Sequence, residues 1–425
     1  MTHLMTWRAL SRRTARIGTL AATAFCLACD SLLSVENPGR VEEAALGDPA
    51  IMPILSAAAL QSAQCAFGEF AATGGVLSGE YWSANGFVNN HIWEWRGVVE
   101  IKGSPGGCNN GRATTSLGFY TPAQQARFQL DDLAKRLGEF TDAQVPNRQR
   151  MLAEAAAYSG YMYTLLGEGM CEMAIDNGPS MTPQQVWAIA ETKFATAIQV
   201  ATAINDASLR NMATVGRARV RLDLGNLTGA AADAALVPTG FVRNAEFSET
   251  TPARENHLYN LTVRNDFLSV SPAYRGLTVN GVADPRVRAN DMRRVGPDNS
   301  TPIWQQQKFT GSGGVSLPIA SYAEAQLILA EAVGGQAAID AINRVRALSN
   351  IAPMPTPPAG TNITDLVIEE RRRQLFSEGH RYVDMLRKRI PFQSGVNRKG
   401  QTYSTLTCIP LPDVETRNNP NFKNG

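Results

Sequence analysis

The chain has 425 residues, enough for one large domain or two ordinary ones, and is 44% hydrophobic and 18% charged. That is the balance of an ordinary globular protein and excludes a disordered one. A formal net charge of +2, with basic residues scattered rather than striped, leaves no electrostatic case for nucleic acid.

The first thirty residues read as targeting, not fold. Arg8, Arg12, Arg13 and Arg16 form a positive start, and the apolar run Ile17 to Ala28 is too short to span a bilayer, for which ~20 residues are needed. It suits a signal peptide over residues 1–28. Ala28-Cys29 resembles the bacterial lipoprotein processing site, with Cys29 as the first mature residue and the lipid carrier. The alternative is an ordinary secreted protein whose Cys29 joins a disulfide. Removing Cys26 with the signal and reserving Cys29 for lipid leaves Cys65, Cys108, Cys171 and Cys408. Four cysteines allow three pairings, and spacing does not choose among them. We expect Cys171, at the end of a helix, to pair with Cys408 in the closing loop, and Cys65 with Cys108. With no C-x-x-C, and with His91, His257 and His380 isolated, a metal site is not expected.

Residues 29–47 read as an extended leader, and residues 48–425 as a single domain. Asp48 to Phe70 predicts an alanine-rich helix with Asp48 as N-cap. From Gly74 to Gly111 the helical period vanishes, in a stretch with Tyr81, Trp82, Phe87, Trp93 and Trp95 among Asn and Gly. If this stretch is extended, Trp93 and Trp95 share a face, since they are two apart. Thr121-Pro122-Ala123-Gln124 and Thr182-Pro183-Gln184-Gln185 each start a helix, with Thr as N-cap, Pro at N1 and Gln closing a capping box. Met151 to Leu166 lines one helical face with small residues, which permits close approach of another helix.

Helix pairs recur after that. Ala213 to Pro238 resembles a tetratricopeptide unit with a Leu-Gly-Asn-Leu turn, Tyr322 to Leu348 is a second pair turned at Gly334-Gly335, and Leu366 to Arg389 a third, broken at Gly379. Such units cannot bury their apolar faces alone and must stack. Thr239 to Val315 breaks the pattern with Asn, Gly, Pro and β-branched residues, too long for a connector. The fold expected is therefore mostly α: a tetratricopeptide-like helix-pair scaffold with irregular insertions at about 71–120 and 239–316 forming a ligand-binding face. Phe392 and Tyr403 belong to a closing loop read as an extended cap.

In the third pair, Glu369→Arg373 and Asp384→Lys388 are i,i+4 pairs in the favourable order. Charge alone reads as a solvated helix. Arginine interleaved with Phe376, Tyr382 and Leu386 favours partly buried forks holding two helices together. The run IEERRRQLFSEGHRYVDMLRK resembles the C-terminal signature of the SusD/RagB family. Upstream LPIASYAEAQLILAEA…AAIDAINRVRALS and downstream CIPLPDVETRNNPN resemble that family's flanking motifs, and CDSLLSVENPG its mature start. Ser321 stands where the family usually has Arg, and Gln374 where it has Glu. The resemblance implies an outer-membrane lipoprotein on the cell surface. Such a protein captures oligosaccharides, in some members peptides, passes them to a SusC-like TonB-dependent β-barrel and catalyses nothing.

The chemistry agrees with binding. The chain has no G-x-S-x-G, phosphate loop or H-E-x-x-H. Its dense acid pairs, Glu369–Glu370 and Asp131–Asp132, are sequence neighbours beside arginines rather than the facing carboxyls that glycoside hydrolysis requires. Sugars stack on indole and phenol faces and take hydrogen bonds from amides. The candidate ligand-binding residues are therefore Tyr81, Trp82, Asn85, Asn89, Asn90, Trp93 and Trp95, with Trp304, Gln305 and Gln306 as a facing wall. Against each tryptophan stands a plain role as a core plug. Two rival functions remain: a tetratricopeptide interaction scaffold, which lacks long aromatic insertions, and a secreted glycoside hydrolase.

Overall fold

The computed structural model describes residues 43–97, 108 and 116–422. The signal-like segment, Cys29 and most of the leader lie outside them. Residues 43–51 form a small unit of two 3-10 turns, Glu43–Gly47 and Pro49–Ile51. There the Asp48 carboxylate accepts the Ala50 N–H at 2.8 Å, capping a turn and not the long helix.

The expected Asp48–Phe70 helix starts later and runs further. Helix α1 spans Met52–Leu77, and Gly74 and Gly75 do not stop it. A Cβ on Gly75 would meet the Tyr81 ring at 2.9 Å, so that glycine serves close packing and not a break. Helix α2 follows at Val88–Glu94, then α3 (Tyr120–Gly138), α4 (Arg148–Gly169), α5 (Pro183–Ala203), α6 (Ala207–Asp223) and α7 (Leu227–Ala235). Thr182 and Gln185 make the capping box expected at the start of α5. Thr121 makes none. Tyr120 is already helical, buried, and donates its hydroxyl to Glu415 at 2.8 Å, while Phe119 sets the entry by packing edge-on to Phe70. Small residues bring α4, α5 and α6 together, since a Cβ on Gly160 or Gly216 would strike the Phe194 ring at 2.8 or 2.4 Å.

The later pairs are α8 (Tyr322–Val333) with α9 (Gly335–Leu348), and α10 (Ile363–Gln374) with α11 (His380–Lys388). Ser321 caps α8 by accepting the Glu324 N–H at 3.0 Å. Gly379, at φ +84°, takes the left-handed turn between α10 and α11, which costs glycine little. Charges hold this junction. Arg371 and Asp384, both buried, meet at 2.9 Å, and Arg387 reaches Asp384 at 2.7 Å and Glu331 at 2.7 Å. Lys388 goes to Glu331 at 2.6 Å rather than to Asp384, as expected from spacing; Asp384 faces the helix junction, where two guanidinium groups already occupy it. Glu370 is shared by Arg346 at 2.5 Å and Arg286 at 2.6 Å, and Asp284 binds both Arg286 and Arg373. Burial raises the Asp284 and Glu331 carboxyls, but their arginine partners outweigh it and pull both down to about 2.

Arg286 and Asp284 belong to the second insertion, so the network also fixes that insertion to the scaffold. The insertion is not shapeless. It forms β2 (Val242–Ala245) paired with β8 (Leu317–Ser321), β3 (Leu268–Val270), the β4–β5 hairpin (Thr278–Val279, Val282–Ala283) and the β6–β7 hairpin (Ala289–Val295, Pro302–Gln306). All the pairings are antiparallel. Cys65 is bonded to Cys108, and Cys171 to Cys408.

Candidate ligand-binding face

The first insertion contributes a strand where none was expected. β1, Tyr81–Ser83, pairs antiparallel with β3, placing Trp82 opposite Ser269. Alternation then turns Tyr81 and Ser83 inward and leaves Trp82 half-buried on the outer side. The Ser269 hydroxyl stitches β3 to β7, donating to Pro302 O at 2.7 Å and accepting the Trp304 N–H at 2.9 Å. On β7, Trp304 stands opposite Asp291 of β6. Tryptophans more than two hundred positions apart thus meet through three strands.

Arg275 joins them. Its guanidinium carbon lies 5.2 Å from the Trp82 ring centre and 5.1 Å from that of Trp304, within cation–π range. Its Nε donates to Val270 O at 2.8 Å. From the closing loop, Arg398 lies over Trp82 at 4.5 Å while binding Glu94 and Ser83 O. Beside it Lys399 pairs with Asp298 and approaches His91 at 3.2 Å. Burial, then the Lys399 charge, holds His91 below its usual range and neutral. Burial would raise Asp298, but hydrogen bonds from Lys399 and Thr301 hold it low.

The other expected site residues sit differently. Tyr81 is fully buried, hydrogen-bonds Ser377 and packs beside Phe376. Asn85 is buried in a turn, with its Nδ2 donating to Phe267 O at 3.0 Å and its Oδ1 accepting the Phe87 N–H at 2.8 Å. Asn90 and Trp93 are also buried, both on α2. Trp93 and Trp95 share no extended face, because Val88–Glu94 closes into a helix that carries Trp93 inward while half-buried Trp95 ends it. Asn89 is exposed on α2. Gln305 and Gln306 are buried and brace the hairpin, donating to Asp266 at 2.7 Å and Phe309 O at 2.7 Å. Arg275, Arg398 and Ser269 were missed; the only cue for Arg275 was an arginine directly after Tyr274 in an aromatic insertion.

A cavity of about 460 Å³ opens behind the closing loop, lined by Arg96, Met385, Phe392 and Tyr403 among others. Arg96 is spent there on structure. It stacks on Phe392 and Tyr403 and donates to the carbonyls of Gln393, Ser404 and Leu406.

Residues 305–424 match the SusD family model. No curated protein matches the chain. Solved structures with the same fold include a SusD-like carbohydrate binding protein from Bacteroides vulgatus, 15% identical, over 88% of this chain and 97% of that one, with a TM-score of 0.64. A SusD superfamily protein from Bacteroides fragilis is 16% identical over 88% and 99%, with a TM-score of 0.64. Surface glycan-binding protein A from Bacteroides uniformis is 16% identical over 85% and 98%, with a TM-score of 0.61.

Proposed function

Because residues 305–424 match the SusD family model, we propose that the chain is a SusD-type protein that binds oligosaccharide at the cell surface and delivers it to a SusC-like TonB-dependent outer-membrane β-barrel. One observation carries the binding half of this reading: the two insertions, far apart in sequence, bring Trp82 and Trp304 together across Arg275. Aromatic rings partly open to solvent on a braced strand platform are what a flat C–H sugar face stacks against. Two relatives of the same fold are described as carbohydrate- or glycan-binding.

In this reading the ligand is held and not turned over. Asp131 is committed to Lys193 at 2.6 Å and to the Ser159 and Tyr163 hydroxyls, and its neighbour Asp132 to Arg136 at 2.6 Å. Glu369 holds Arg372 and Arg373, while Glu370 is taken up by Arg286 and Arg346. Neither acid pair spans a gap with one carboxyl free to donate a proton. A lipid on Cys29 anchors the protein to the outer membrane, and several acyl chains together hold firmly where one does not.

The test is a glycan array probed with the purified protein, alongside fractionation of Cys29→Ala cells. Retention of a defined glycan and release of the variant into the soluble fraction are expected. Retention of peptides and of no glycan contradicts the binding half. A variant that stays with membranes after a high-salt wash contradicts the anchor.

A further inference from the structure

Resting on that reading, we infer that the glycan this face takes is anionic, with a carboxylate or sulfate seated on Arg275 between Trp82 and Trp304. The chain shows repeatedly what it does with an arginine withdrawn from solvent. Arg219 meets Glu168 at 2.5 Å, Arg217 meets Asp233 at 2.7 Å, Arg286 meets Asp284 at 2.8 Å, and Arg371 meets Asp384 at 2.9 Å. Arg96, which has no carboxylate, is satisfied instead by Gln393 and three backbone carbonyls.

Arg275 follows neither pattern. Among the described residues its guanidinium makes one hydrogen bond, from Nε to Val270 O, and no ion pair, and its Nη2 is buried without an acceptor. Burial lowers its pKa, attraction from Asp291 opposes that, and repulsion from Arg398 adds to it. Arginine nevertheless stays charged at any physiological pH. Stacking on two indoles offsets part of the cost of holding this cation half-buried, but leaves its Nη donors without an acceptor among the described residues. With Nε taken by Val270 O and Nη2 buried, Nη1 is the donor left to an incoming carboxylate or sulfate oxygen, which a charge-assisted hydrogen bond would hold.

The surroundings tilt the same way. Arg398 lies over the same Trp82 ring, and Lys399 is the next residue. Glu94 and Asp298 neutralise these two, whereas Arg275 makes no ion pair among the described residues and feels Asp291 only at longer range. A neutral sugar would stack on the rings and leave the Arg275 charge unmatched. A uronic acid or a sulfated sugar stacks and also supplies the missing acceptor.

The probes are oligogalacturonides, their neutral methyl esters, sulfated galacto-oligosaccharides and unsulfated counterparts, measured by calorimetry on the whole protein at low and raised salt. Binding is expected for the uronide or for the sulfated series, and which one binds tells the carboxylate from the sulfate. It weakens as salt rises and falls about tenfold or more in Arg275→Gln, the loss that follows from removing hydrogen bonds to a charged group. Arg275→Lys, which keeps the charge without the planar guanidinium, is expected to retain part of the affinity, and both variants to keep the wild-type Tm. Equal affinity for acid and neutral forms, or an unchanged affinity in Arg275→Gln, overturns the anionic assignment and leaves glycan binding standing. No binding to any glycan, with or without charge, overturns both.

Discussion

Arginine does opposite work in two regions of this molecule. At the α10–α11 junction, Arg371 and Arg387 are buried against Asp384 and Glu331, and Glu370 is shared by Arg286 and Arg346. Each of these charges has its complement among the described residues, so the junction is closed. On the outer face, Arg275 lies against Trp82 and Trp304 with no ion pair among the described residues, and the proposed ligand site rests on that difference. The first arrangement fixes the scaffold, and the second uses the rigidity so gained. Asp284 links them, since it binds Arg373 of α10 while belonging to the insertion that presents Arg275 and Trp304.

The largest effects test the closed region. Asp384→Ala strands Arg371 in the interior and is expected to cost ~3–5 kcal/mol in denaturant melts, as for other broken buried pairs. Glu369→Ala, on the same helix pair but 40% exposed, is expected to cost under ~1 kcal/mol. Equal losses in the two variants would mean that the junction is no more closed than the surface. The Cys171–Cys408 bond, which spans 237 positions, ties the closing loop to the end of α4. Replacing both cysteines by serine should lower stability by ~2–4 kcal/mol, and a melt that does not move would remove the loop from the account.

A gentler probe is pH. Burial raises Glu80 and Glu324 to about 7, with Ser377 and nearby cations opposing it for Glu80 and Arg219 and Arg371 for Glu324. A raised carboxyl pKa contributes stability that is full below about 4.5 and is lost as pH climbs through about 7. Asp284 and Glu331, held at about 2, contribute stability present above their unfolded values and lost as pH falls toward 2. Melting temperature should therefore fall on both sides of mildly acidic pH, and Glu80→Gln should flatten the decline between about 4.5 and 7. If the variant keeps the wild-type slope there, Glu80 is ionised in the folded protein.

The same contrast explains what was legible in the sequence. The α10–α11 pair could be read because its partners lie within a few turns: Glu369 and Arg373 are four apart, and Gly379 marks the break. The helix pairs and the capping box at Thr182 are local signals of the same kind. Even there, local spacing misassigned Lys388, because Glu331 on another helix took it. The outer face was only half legible. Aromatic content marked the two insertions, but the partner of Trp82 is Ser269, and its hydrogen bonds to β7 depend on a pairing nearly two hundred residues long. Without that pairing, Tyr81 and Trp82 look equivalent; alternation in a three-residue strand buries one and presents the other. Asn90 and Trp93 looked like sugar ligands in an irregular run because α2 is too short to show a helical period.

The most direct measurement is a paired one: affinity and melting temperature for Trp82→Ala, Trp304→Ala and Trp93→Ala, with the glycan that the array retains. Stacking losses of ~1–3 kcal/mol per ring predict that Trp82→Ala and Trp304→Ala each weaken binding about ten- to a hundredfold at unchanged melting temperature. Trp93→Ala, which opens a cavity in the interior, should cost ~3–5 kcal/mol of stability. If Trp82→Ala and Trp304→Ala instead lower the melting temperature and leave affinity intact, the two tryptophans are core plugs and the outer face is not the binding site.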